Sequence, residues 1–201
     1  MSKPLKMFGC VLEEILLIIG IKTFKLRIMK LPSELASNSS EKYLDTFKNL
    51  YEHSPWFVEQ SLKLVASDKK YNNLERFHEM LSEIMLSSSS DMQDNLITAH
   101  PLLAGKKAQN NELTDFSTTE QKSAGLNDCT DDEIKLFERL NEEYFSKFNF
   151  PFIMAVKEKN KSEIISSFLA RKNNSRDQER TNALIEINKI AWLRIKEIYG
   201  I

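Results

Sequence analysis

Ser175–Gly200 reads SRDQERTNALIEINKIAWLRIKEIYG. Ser175-x-x-Gln178 has the form of a capping box, in which hydroxyl and amide satisfy each other's orphan backbone N–H groups at a helix start. No Pro or Gly interrupts the next two dozen residues, so one long helix is expected. At 100° per residue, Ile190, Ala191, Arg194 and Ile198 all fall within roughly 60° of Ile187. Arg194 therefore sits inside an apolar stripe. A buried, unpaired charge costs several kcal/mol, so this guanidinium requires a carboxylate from the protein or from a ligand. Arg180 shares the stripe but lies near the helix start, where it can snorkel to solvent.

The same period recurs upstream. Thr130-x-x-Glu133 opens a segment bearing Ile134, Phe137, Leu140, Tyr144, Phe145 and Phe148. Leu74, Phe77, Leu81, Ile84 and Met85 occupy one helix face, and Ser87 to Ser90 break it. Leu44, Phe47, Leu50 and Tyr51 form an earlier face. Ser54 as N-cap with Pro55 at the first helical position starts a segment with Trp56, Val58, Leu62 and Val65. Ser90-x-x-Gln93 and Ser117-x-x-Glu120 are two further capping-box patterns. Phe150–Val156 is apolar, short and contains Pro151, which reads as a buried extended segment or loop. These patterns predict an all-α fold, a single compact domain of about seven or eight helices.

Composition agrees. Among 201 residues there are 5 Gly and 5 Pro, too few for a turn-rich β fold. With 28 Lys+Arg against 29 Asp+Glu there is no basic footprint, so no nucleic acid and no membrane surface is expected as partner. The longest apolar run, Ile15 to Ile21, falls well short of the ~20 residues that cross a bilayer. Cys10 and Cys129 lie far apart without metal-ligand spacing, so neither a disulfide framework nor a zinc site is expected, and a reducing cytoplasm is the expected setting. GxGxxG, GxxxxGK, GxSxG, HExxH and EF-hand spacings do not occur. Residues 1–28 read as an N-terminal extension, and Met29-Lys30-Leu31-Pro32 as the start of a domain spanning 29–201.

Of three histidines, His53 stands beside Ser54-Pro55-Trp56 and His78 within an amphipathic pattern. His100 precedes Pro101, which disfavours the α region, so it leaves the helix axis and can project into a cleft. Ser117 and Glu120 read first as a helix cap. A helix N-terminus also suits an anionic or carbonyl-bearing ligand, so both roles stay open.

Taken together, these segments resemble the 2-oxo-4-hydroxy-4-carboxy-5-ureidoimidazoline (OHCU) decarboxylases. The resemblance rests on Glu52-His53-Ser54-Pro55-Trp56, Ala99-His100-Pro101-x-Leu103-Ala104-Gly105, Ser117-x-x-Glu120-Gln121 with Ala124-Gly125-Leu126, Leu140-Asn141-x-x-Tyr144, Phe148-x-Phe150-Pro151-Phe152-Ile153, and Ala183-Leu184-x-Glu186-Ile187-x-x-Ile190-Ala191-x-x-Arg194. It implies decarboxylation of OHCU to (S)-allantoin in urate degradation, with no cofactor and no metal. It also implies His100 and Glu120 as catalytic residues, and substrate contacts from Pro101, Ser117, Thr118, Thr119, Glu120, Gln121, Phe152, Ile153, Met154, Ala155, Val156 and Arg194. Its other implication is a homodimer. Leu102 departs from the family pattern, which places a polar or acidic residue there. The competing reading is a non-catalytic helical binding module, whose interface would use Trp56, Phe57 and Phe145 and leave His100, Glu120 and Arg194 dispersed.

Overall fold

Ser175 opens the last helix as its sequence requires. Its hydroxyl accepts from Gln178 N at 3.3 Å, and its own N–H donates to Gln178 Oε1 at 2.9 Å. The helix ends where Gly200 turns left-handed, at φ 69°. The computed structural model describes residues 30–105 and 113–201; the expected extension 1–28 lies outside the described residues. In chain order the elements are α1 Pro32–Asn38, α2 Ser40–Phe47, α3 Trp56–Ser67, a 3-10 turn Lys69–Asn72, α4 Leu74–Ser87, α5 Ser90–Ala99, α6 Asp115–Ser123, α7 Asp131–Phe148, α8 Lys161–Arg171 and α9 Arg176–Tyr199. No strand occurs among the described residues, and no helix there is long and apolar enough to cross a membrane.

The all-α class holds, with nine α-helices among the described residues rather than seven or eight. The unread helices are α1, seven residues long, and α8, whose buried face consists only of Ile164 and Phe168. α1 is too short to mark a period, whereas α8 carries one, Ile164, Ile165, Phe168 and Leu169 behind an Asn160–Glu163 capping box.

Helix starts divide into two groups. Thr130–Glu133 and Ser175–Gln178 are capping boxes as expected. The other three starts are shifted. Ser89 rather than Ser90 caps α5, because Gln93 turns back to donate to the Met85 and Leu86 carbonyls at the end of α4. Pro55 takes the N-cap position of α3, and Ser54 is buried in the preceding turn. Thr114 caps α6, leaving Ser117 in the first turn and Glu120 in the second, with their side chains buried.

The long α9 packs against α4, α5 and α7, so its stripe faces several neighbours at once. Edge-on contacts of Tyr43 with Phe47 and Phe77 join α2 to α4. A second aromatic group, Tyr144, Phe148, Phe152 and Phe168, joins α7, the segment after it and α8. Each such ring, fully buried, contributes about 1.5–3 kcal/mol. Asn149 ends α7 in the left-handed region (φ 61°), and Phe150–Val156 then runs without regular structure, as expected. Two side chains fix its course: Arg171 Nη1 donates to Ile153 O at 2.7 Å, and Ala155 N donates to Glu186 Oε2 at 2.8 Å. Arg171 is itself held by Glu179, a fully buried carboxylate that also accepts from Tyr144, Asn174 and Asn182.

Candidate active site

His100 is the C-cap of α5 and has extended backbone (ψ 140°), as a residue before proline should. Its ring is buried, and Nδ1 lies 2.8 Å from Leu96 O. A carbonyl oxygen can only accept, so the proton sits on Nδ1 and the neutral ring carries its lone pair on Nε2. Burial lowers the imidazole pKa most; the Leu96 carbonyl partly opposes this, and the Arg194 charge adds to it, leaving a value of about 4. At neutral pH His100 is therefore an uncharged acceptor at Nε2.

Arg194, 1% exposed, meets protein acceptors at every nitrogen. Nε and Nη2 reach Glu120 Oε1 and Oε2 at 2.8 and 2.9 Å. Nη2 also meets Glu52 Oε2 at 3.0 Å and Ser117 Oγ at 3.2 Å, and Nη1 donates to Asn49 O at 3.0 Å. Of the two carboxylate sources the sequence left open, the fold supplies the protein's own, and supplies it twice. Burial alone would lower the guanidinium pKa, but Glu120 and Glu52 outweigh it and raise it further.

Glu52, quoted in the motif above but given no role there, is 2% exposed. Thr114 Oγ1 donates to its Oε1 and Ser117 Oγ to its Oε2, both at 2.9 Å. Burial pushes this carboxyl up, yet Arg194 and the two hydroxyls hold it below the usual carboxylate range. No period could have marked it, because it lies in the turn between α2 and α3, just before His53 in left-handed backbone (φ 47°).

Gln121 works on the loop after His100. Its Oε1 accepts from Ala104 N at 3.0 Å, and its Nε2 donates to Leu102 O at 3.2 Å. Asn141 Nδ2 donates to Leu103 O at 2.9 Å. This loop holds Ala104 at φ 50°, a strained backbone stabilised by these side-chain bonds.

One small cleft gathers most of the expected residues. His100, Pro101, Ser117, Glu120, Gln121, Ile153, Met154, Val156 and Arg194 line it, joined by Leu103 and Ile190, to which the sequence gave no site role. The remaining expected contacts are not on its wall. Thr118 and Thr119 are exposed on the outer side of α6, the Phe152 ring stacks on Phe168 in the core, and Ala155 N is taken by Glu186. Glu120 pairs with Arg194 through both carboxylate oxygens. Among the described residues no three His, Cys, Asp or Glu side chains gather to hold a metal.

Residues 36–196 match the family model described as OHCU decarboxylase. The chain belongs to the OHCU decarboxylase family. The 2-oxo-4-hydroxy-4-carboxy-5-ureidoimidazoline decarboxylase of Haloferax volcanii is 34% identical over 160 residues, which cover 80% of this chain and 90% of that protein. The uric acid degradation bifunctional protein of Bacillus subtilis is 36% identical over 82% of this chain, but this chain spans only 32% of its length. Among solved structures, a crystal structure of (S)-allantoin synthase superposes with a TM-score of 0.65 at 26% identity, covering 84% of this chain and 54% of that one. A second, of OHCU decarboxylase in the presence of (S)-allantoin, has a TM-score of 0.58 at 18% identity and shares the fold.

Proposed function

We propose that this protein decarboxylates OHCU to (S)-allantoin in urate degradation, without a cofactor, at the cleft between α5, α6, α9 and the segment 152–156. One observation carries the reading: His100, whose Nε2 makes no hydrogen bond to a described residue, shares a small cleft with the buried Glu120–Arg194 pair. Polar and charged groups converging in one small cleft are the expected form of a binding or catalytic site.

The substrate supplies its own electron sink. As CO2 leaves, the bond pair passes onto the ring carbon that bore it and into the adjacent C=N, whose nitrogen takes a proton from solvent. The resulting enol loses its hydroxyl proton to His100 Nε2, and the imidazolium returns that proton to the neighbouring ring carbon, from one face only. His100 thus begins as a base and ends as the proton donor. Ser117, Glu120, Pro101, Gln121 and the main chain of Ile153, Met154 and Val156 hold the ring, and the pre-set dipoles need no reorganisation as charge develops. Arg194 acts by fixing Glu120 and Ser117.

The homodimer and the cytoplasmic setting belong to the same proposal, and gel filtration with light scattering tests the first. For the activity, purified protein is mixed with freshly generated OHCU and the optical rotation of the product followed. Enzyme-dependent formation of (S)-allantoin is expected; racemic product at the spontaneous rate would overturn the reading.

A further inference from the structure

We propose that Glu52 is a positioning residue that makes the Ser117 hydroxyl an obligate hydrogen-bond acceptor, so that this wall of the cleft recognises an N–H donor on the ligand. This deepens the functional reading above and rests on it.

The argument is a count of hydrogens and lone pairs. A carboxylate only accepts, so the single Ser117 hydrogen lies in the bond from Oγ to Glu52 Oε2, 2.9 Å between the oxygens, and points away from the cleft. One of the two lone pairs on Ser117 Oγ faces Arg194 Nη2 at 3.2 Å, the longest of three contacts that share that nitrogen's two hydrogens. At least one lone pair is left for a ligand, and no hydrogen. Ser117 cannot reverse this polarity cheaply, because turning its hydrogen outward leaves Glu52 Oε2, 2% exposed as a residue, with one donor fewer. Nor can Arg194 supply a donor in its place, since Nε, Nη1 and Nη2 are all engaged by protein acceptors. Neutral His100 Nε2 has the same polarity. A ureido-substituted imidazoline carries several N–H groups, the complement of such a wall. A site with buried acceptors rejects analogues lacking the donor far more strongly than an apolar pocket rejects a change in size.

The test is a double-substitution cycle on ligand binding, with (S)-allantoin as the calorimetric probe and OHCU turnover measured alongside. Glu52→Met removes the acceptor but leaves Arg194 paired with Glu120, so the hydroxyl hydrogen is freed to face the cleft. Glu52→Gln keeps an amide oxygen toward Arg194 and Ser117. We expect Glu52→Met and Ser117→Ala each to weaken binding about tenfold, the scale of one buried hydrogen bond. The double variant should be no weaker than the worse single one, because both remove one and the same acceptor. Glu52→Gln should recover most of the loss. Multiplying effects, or wild-type affinity in Glu52→Met, would overturn the proposal.

If Glu52→Met does not fold, wild-type protein and Ser117→Ala are compared on the mono-N-methyl derivatives of (S)-allantoin. At least one should lose affinity in the wild type and regain it in Ser117→Ala; equal discrimination by both proteins overturns the proposal. A wild-type protein that neither binds (S)-allantoin nor turns over OHCU removes the functional reading and this inference together. Normal turnover with multiplying effects removes the inference alone.

Discussion

Arg194 and Glu120, 74 residues apart, face each other as a bidentate pair, Nε to Oε1 at 2.8 Å and Nη2 to Oε2 at 2.9 Å. This pair ties α9 to α6 beneath the cleft, and Glu52 approaches the same guanidinium at 3.0 Å. Planar, delocalised Arg suits such a double contact, which a point-charged Lys cannot reproduce.

Replacing Arg194 with Met therefore strands two buried carboxylates. We expect Arg194→Met to lose about 3–5 kcal/mol of stability in urea unfolding, as for one partner removed from a buried ion pair. Unchanged or improved stability with weakened substrate binding would instead make the substrate the main partner of the guanidinium.

His100 contributes a pH dependence of definite sign. Its folded pKa, about 4, lies below the ordinary 6.5, so the unfolded chain takes up the proton first. The contribution is fully present above about pH 6.5 and is lost as pH falls toward 4, by up to about 1.4 kcal/mol for each pH unit. His100→Gln should stay folded, lose turnover, and show a shallower fall in urea midpoint between pH 7 and 5 than the wild type. Equal slopes in the two proteins would mean that the imidazole titrates normally.

The cap of α6 is Thr114, so Thr114→Ala should cost at least about 1 kcal/mol through the lost N-cap bond, and the donor lost to buried Glu52 adds to it. Ser117→Ala should leave the helix start intact, with its effect falling mainly on ligand affinity. Thermal melts of the two variants, with helicity by circular dichroism, check the assignment; a frayed α6 in Ser117→Ala alone would reverse it.

Thr118 and Thr119 are exposed and stand off the cleft wall. Thr118→Ala should change neither KM nor kcat by more than about twofold, within the roughly 0.5 kcal/mol expected of surface substitutions. A tenfold rise in KM would bring α6's outer face into the site.

Sequence by itself determined the helices whose period or punctuation is strong. Thr130 and Ser175 cap where their spacing with Glu133 and Gln178 requires, and Pro101 draws His100 out of α5. It also determined that Arg194 must find a carboxylate, because a charge inside an apolar stripe has no cheaper solution. Which carboxylate was decided only by the tertiary structure. Glu52 and Glu120 reach Arg194 across 142 and 74 residues, and no local spacing encodes such a contact. The same packing overrode local rules at Ser90 and Ser117. Gln93 was more useful closing the end of α4, and the Ser117 hydroxyl was bound by Glu52, so neighbouring Ser89 and Thr114 became the caps. A cap is worth about 1 kcal/mol, and one buried charge left without partners costs several times that, so the long-range cluster prevails wherever the two compete.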